Sequence, residues 1–275
     1  MEIYKMLLQK RSLYFFGGMI FAFTISNLPK FINPSHISNL GDERTKIRKA
    51  ILFGDSITQE ASDPARDGWV SSLSAYWIRR VDIFNRGFGG YNSRWGMKIY
   101  QSVVLDHRPD IIFLFFGAND SVCEEVPQHV PLLEYKDNLS SMVEQAQSTL
   151  PYSTIIILSP PPVYEPLLEE RNKEKKKKIL SDRVCSRTRE YVKACVEVGA
   201  KFNVDVIDNF TSMEGDSKNR SDYLRDGLHL NSKGNAKVYE NVINLIEKKY
   251  KQLDPENMQM YQPHWSEIVA NPDIL

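Results

Sequence analysis

The stretch ILFGDSITQ, residues 51–59, decides how the fold is read. Ile51, Leu52 and Phe53 make an apolar run too short for a helix and bounded by Gly54, as in a strand covered on both faces. The chain then changes period as though a helix begins. Ser56 sits at that junction, where a serine is either a helix cap or a nucleophile presented by a tight turn.

Outward from this point, short apolar runs alternate with helix-period segments. Strands are expected at 50–53, 81–84, 111–116, 154–158 and 204–207, each rich in Ile, Val, Leu or Phe. Helices are expected between them: Trp69, Leu73 and Trp77 recur at a spacing of four, as do Leu139 and Val143. Val184, Tyr191, Cys195 and Val198 follow a helical stripe, and a last helix over about 233–250 starts at Asn231 or Ser232. This alternation predicts an α/β fold, a three-layer αβα sandwich around a mainly parallel five-stranded sheet. Ligands of such open sheets bind beyond the carboxyl ends of the strands, so the loops after the strands are where a site belongs.

Bulk properties narrow the function. The 275 residues carry 35 Lys and Arg against 35 Asp and Glu, a balance that gives no reason to expect nucleic acid as a partner. Three cysteines, Cys123, Cys185 and Cys195, are too few for a disulfide framework, which makes a cytoplasmic location the default. His36, His107, His129 and His264 are scattered without partner residues at zinc spacing, so no metal is expected; no dinucleotide fingerprint or P-loop is present, so no cofactor is expected. The lysine-rich run at 173–178 reads as a solvated segment.

Residues 1–47 read as a leader and linker. Basic residues precede an apolar run over 12–27 that is shorter than the roughly 20 residues needed to span a bilayer. It is open to reading as a signal or anchor with membrane contact, an organelle-targeting leader, or an extension of a cytosolic enzyme. The domain is expected over 48–250, and a tail over 251–275 is expected to pack on it or on the second subunit of a homodimer.

Four loops carry candidate chemistry. GDSITQ places Ser56 after the first strand, and NRGFGGYNSRW (85–95) offers glycine N–H groups after the second. FFGANDS (115–121) places Asn119 after the third, where it is either an amide donor or, with Asp120, a cap. DGLHLNSKG (226–234) places Asp226 three residues before His229, close enough for the carboxylate to orient the imidazole.

In this order the loops resemble the SGNH hydrolases, also called GDSL esterases and lipases, with Ser56, Gly90, Asn119 and His229 as the four named residues. FGDSITQ, GANDS, PPPV and YLRDGLHLNSKG look like the branch of isoamyl acetate-hydrolysing esterases, from about residue 48 to the C-terminal PHWSEI. The resemblance implies a serine esterase acting on short-chain, acetate-type carboxylic esters through an acyl-enzyme. It implies Ser56, Asp226 and His229 as the triad, and the backbone N–H groups of Ser56 and Gly90 with the Asn119 amide as the oxyanion hole. Gly90 is chosen over Gly87 and Gly89 because the pattern places it just before YNS. Trp95, Phe116 and Pro161 are expected as pocket walls. The same scaffold also suits a deacylase of thioesters, lysophospholipids or acetylated sugars, and a non-catalytic binding protein is the remaining alternative.

Overall fold

The computed structural model describes residues 46–215 and 220–275. The expectations for the leader lie largely outside them. Among the described residues no helix is long and apolar enough to cross a membrane.

Five strands form one sheet: β1 (Arg48–Gly54), β2 (Val81–Gly87), β3 (Ile111–Phe115), β4 (Thr154–Leu158) and β5 (Asp205–Ile207). Their order is β2-β1-β3-β4-β5, and every pairing is parallel. Parallel strands need crossover connections, and the helices supply them: α1 (Ser56–Gln59), α2 (Trp69–Tyr76), α3 (Ser93–Val103), α4 (Leu132–Thr149), α5 (Glu165–Glu174) and α6 (Cys185–Phe202). Helices α7 (Asn209–Gly215), α8 (Ser232–Lys249) and α9 (Trp265–Ala270) follow the last strand.

The period-2 geometry of the strands explains why the runs are apolar without alternation. On β1, Ala50 and Leu52 enter one buried cluster with Trp69 and Leu73 of α2 and Val238, Val242 and Ile246 of α8. Ile51 and Phe53 point the other way, into a cluster with Tyr100 of α3, Leu139 and Val143 of α4, and Tyr191, Cys195 and Val198 of α6. Both faces of the sheet are therefore covered, which is the expected three-layer arrangement. The sheet's C-terminal rim, where β1 ends at Gly54 and β3 at Phe115, collects the loops singled out above.

The tail packs on this same unit. The Trp77 indole N–H donates to Leu253 O at 2.8 Å, and Arg80 donates to Pro255 O at 2.9 Å. Arg79 donates to the carbonyls of Tyr261, Gln262 and Pro263. Leu253 itself is buried in the core. The lysines of 173–178 are exposed, as expected of a solvated segment.

Candidate active site

The junction after β1 resolves the ambiguity over Ser56. The N-cap of α1 is Asp55, whose carboxylate accepts the Ile57 N–H at 2.8 Å, so Ser56 is the first helical residue and its hydroxyl is not used in capping. Ser56 Oγ lies 3.0 Å from His229 Nε2. The other ring nitrogen, Nδ1, lies 2.8 Å from Asp226 Oδ2. Three residues separated by up to 173 positions thus stand in one line.

Asp226 is held from several sides. Its Oδ1 accepts the backbone N–H groups of Leu228 at 3.1 Å and His229 at 2.8 Å, and its Oδ2 also accepts from Arg171 Nη1 at 3.2 Å. Burial opposes ionisation. The hydrogen bonds and charge of His229, with Arg171 behind them, outweigh it and hold the carboxyl far below the ordinary carboxylate range. Gly227 makes the loop's sharp turn with φ +79°, and it fits against α5 so closely that a Cβ would stand 2.4 Å from Leu168 N. Its carbonyl accepts the Tyr164 N–H at 2.9 Å, which fixes the loop to the start of α5.

The glycine loop after β2 distinguishes its own members. Gly87 N–H donates to Asn85 Oδ1, Phe88 N–H to Gly54 O, Gly89 N–H to Gln59 Oε1, and Tyr91 N–H to Phe88 O. Within this run Gly90 alone has an N–H without a hydrogen-bond partner among the described residues. Its φ of +82° is a left-handed conformation that favours glycine, and Gln128 Nε2 secures its carbonyl at 2.8 Å. The choice of Gly90 over Gly87 and Gly89 therefore has a physical counterpart.

Asn119 caps nothing: no helix follows it until α4. Its amide is fixed at both ends, with Nδ2 donating to Tyr91 O at 2.8 Å and Oδ1 accepting from Arg183 Nη2 at 2.8 Å. Nδ2 carries a second hydrogen that this bond does not use. The neighbouring Asp120 is fully buried and accepts the Ser93 N–H at the start of α3. Burial pushes the carboxyls of Asp55 and Asp120 up, to about 7 and about 6.

The expected pocket walls divide. Trp95 keeps partial exposure and packs edge-to-face on Tyr91 at 5.9 Å, beside the carbonyl that Asn119 engages. Phe116 is corrected: it is 1% exposed and meets Phe53 at 4.9 Å, so it is core with no surface left for a substrate. Pro161 is buried as well, in the irregular segment between β4 and α5. A different hollow adjoins His229, lined by Ile57, Glu60, Ala61, Arg66, Leu230 and Asn235. Sequence reading missed it because its walls come from α1, the segment after it and α8. It missed Arg171 and Arg183 because cations flanking the lysine-rich run carry no local mark of the distant partners they meet. Among the described residues no group of His, Cys, Asp and Glu is placed to hold a metal ion.

A parallel sheet that brings Ser, His and Asp into line at its C-terminal rim is a hydrolase architecture, and the chain belongs to the GDSL-like lipase/acylhydrolase family, whose model matches residues 52–237, as a carboxylic-ester hydrolase. It is 38% identical to the isoamyl acetate-hydrolyzing esterase 1 homolog of Homo sapiens, over 82% of this chain and 90% of that protein. A GDSL esterase/lipase of Arabidopsis thaliana is 35% identical over 74% of this chain and 87% of its own length. Among solved structures, the lipase/acylhydrolase from Enterococcus faecalis superposes with a TM-score of 0.59 at 26% identity, covering 79% of this chain and all of that one.

Proposed function

We propose that the protein is a serine esterase that hydrolyses short-chain, acetate-type carboxylic esters through an acyl-enzyme intermediate. The observation that carries this reading is the continuous line from Ser56 Oγ through His229 to Asp226, with bonds of 3.0 and 2.8 Å. In this mechanism Ser56 attacks the ester carbonyl while His229 Nε2 takes its proton. The alkoxide that forms on the carbonyl oxygen is met by the N–H groups of Ser56 and Gly90 and by the second hydrogen of Asn119 Nδ2. As the tetrahedral species collapses, the C–O bond to the alcohol breaks and His229 returns the proton to the leaving oxygen. Water then attacks the acyl carbon while His229 takes a proton from it; the bond from that carbon to Ser56 Oγ breaks, His229 returns the proton to Oγ, and the acid leaves. Asp226 holds Nδ1 protonated throughout and stabilises the imidazolium, without itself taking the proton.

One thing supports a short acyl group. The human relative bears the name of an isoamyl acetate-hydrolyzing esterase homolog, an ester of a two-carbon acid. The test is hydrolysis of p-nitrophenyl esters from acetate to palmitate, with Ser56→Ala as control. Turnover that depends on Ser56 and falls with chain length is expected; a rate that persists in Ser56→Ala refutes the nucleophile, and a preference for palmitate refutes the short-chain assignment.

A further inference from the structure

We propose that Arg183 is a positioning residue for the oxyanion hole: its guanidinium locks the Asn119 side-chain amide so that one Nδ2 hydrogen faces the developing negative charge. The inference rests on the reading of Asn119 as an oxyanion donor. An asparagine amide can turn over about its last bond, exchanging oxygen and nitrogen at little cost unless its neighbours discriminate between them. Here both do. Arg183 Nη2 can only donate, and it sits 2.8 Å from Asn119 Oδ1; Tyr91 O can only accept, and it sits 2.8 Å from Nδ2. The flipped amide would set a donor against a guanidinium and an oxygen against a carbonyl, both buried.

The guanidinium is itself fixed. Nε donates to Ala118 O at 3.0 Å, the carbonyl just before Asn119, and Nη1 donates to Asp182 Oδ2 at 3.0 Å. Arg183 is 3% exposed, so water competes little for these bonds. Asp182 is in turn held by Lys177 Nζ at 2.9 Å and Asn172 Nδ2 at 3.2 Å, while its backbone carbonyl accepts the Cys123 N–H at 2.8 Å. The end of α5 and the lysine-rich segment after it thus form the far side of a buttress: Lys177 and Asn172 brace Asp182, Asp182 braces Arg183, and Arg183 braces Asn119. A cation bonded to the amide oxygen also draws electron density from Nδ2, which makes the N–H a stronger donor toward an oxyanion.

A double-mutant cycle in the full-length protein tests this, using p-nitrophenyl acetate and wild type, Arg183→Met, Asn119→Ala and the double variant, each checked for folding by circular dichroism. Loss of a buried charge-assisted bond that acts in the transition state predicts a fall in kcat of about ten- to a hundredfold for Arg183→Met, with KM little changed. Asn119→Ala is expected to lose about a hundred- to a thousandfold. In the Asn119→Ala background, Arg183→Met is expected to add almost nothing, because the group it positions is gone. A trifluoromethyl ketone, whose serine adduct carries the oxyanion, is expected to bind Arg183→Met more weakly by the same factor as kcat falls.

Effects that multiply, or a loss confined to KM, overturn the positioning role. A wild-type rate in Asn119→Ala overturns the donor reading itself, which the cycle separates from the first failure. If Arg183→Met does not fold, Arg183→Lys carries the same cycle: it keeps a charge for Asp182 but cannot reach three acceptors. An undiminished kcat in folded Arg183→Lys overturns the proposal.

Discussion

Replacing Asp226 by Asn leaves the volume almost intact while removing the charge and turning one acceptor into a donor, so its effect is a direct measure of what the carboxylate does. The Asn oxygen has one place to go. Two backbone N–H groups, from Leu228 and His229, point at the Oδ1 position and cannot rotate away. The new NH2 therefore takes the Oδ2 position, 2.8 Å from His229 Nδ1 and 3.2 Å from Arg171 Nη1. Facing a donor, Nδ1 becomes an acceptor, and the ring proton moves to Nε2, the atom 3.0 Å from Ser56 Oγ. An imidazole protonated on that side cannot take the serine proton. In a Ser-His-Asp triad this tautomer error lowers kcat by roughly 10⁴-fold, and at 1.36 kcal/mol per tenfold that is about 5.4 kcal/mol of transition-state stabilisation. Arg171 loses a charge-assisted bond at the same time, which costs about 1.5–3 kcal/mol of stability. The assay is kcat for p-nitrophenyl acetate at neutral pH, beside a urea melt that confirms folding. A folded Asp226→Asn protein that keeps more than a tenth of the wild-type kcat refutes the reasoning, since the orientation of His229 would then not depend on the carboxylate.

Further outcomes follow from the same geometry. Gly90→Ala places a Cβ 3.3 Å from Gln128 Nε2 on a backbone with φ +82°, a strain of about 1–2 kcal/mol; relaxation moves the free N–H, and kcat is expected to fall by about tenfold, whereas an unchanged kcat would remove Gly90 from the oxyanion hole. Burial raises the Asp55 carboxyl to about 7, so the folded chain binds more protons than the unfolded one between about pH 4 and pH 7 and this residue's contribution to stability falls as pH rises through that window. Asp55→Asn, which keeps the acceptor for Ile57 N, is accordingly expected to match wild type near pH 4 and to exceed it above pH 7 by up to about 4 kcal/mol; urea melts whose difference is independent of pH would contradict this. Trp77→Phe leaves the Leu253 carbonyl without its indole donor, which is expected to cost about 1–3 kcal/mol and to lower the melting temperature, and an unchanged melting curve would show that this bond adds nothing to stability. Burial pushes the Cys185 and Cys195 thiols up to about 11 and about 12, so neither is expected to react with Ellman's reagent at pH 8 until the protein is denatured.

The parts of this molecule that were legible in the sequence are those with a local signature. Each strand is a short run of residues buried on both sides, and the nucleophile, glycine, asparagine and histidine loops each carry turn residues immediately after or before a periodic element. Asp226 and His229 were readable together because their spacing lies within one loop. Phe116 was not, because a strand covered on both faces has no pattern that separates a core ring from a pocket wall. Arg171 and Arg183 were illegible for the opposite reason: their partners, Asp226 and Asn119, lie 55 and 64 positions away, and nothing local marks an arginine beside a run of lysines as one that turns inward. The clamp of Trp77, Arg79 and Arg80 on the tail is made of side chains bonded to carbonyls, a contact to which any residue type can contribute the acceptor.

Ser56 and His229 are separated by 173 residues, and the tail bond of Trp77 spans 176. β1, which ends two residues before the serine, stands inside the sheet, yet the imidazole that faces this serine is made 173 residues later. At about 5–20 residues per second, a ribosome takes roughly 9 to 35 s to pass from one to the other. Throughout that interval the nascent chain holds a serine with no base and no oriented imidazole. The line from Ser56 through His229 to Asp226 can therefore assemble only after that interval, once the loop before α8 has been made.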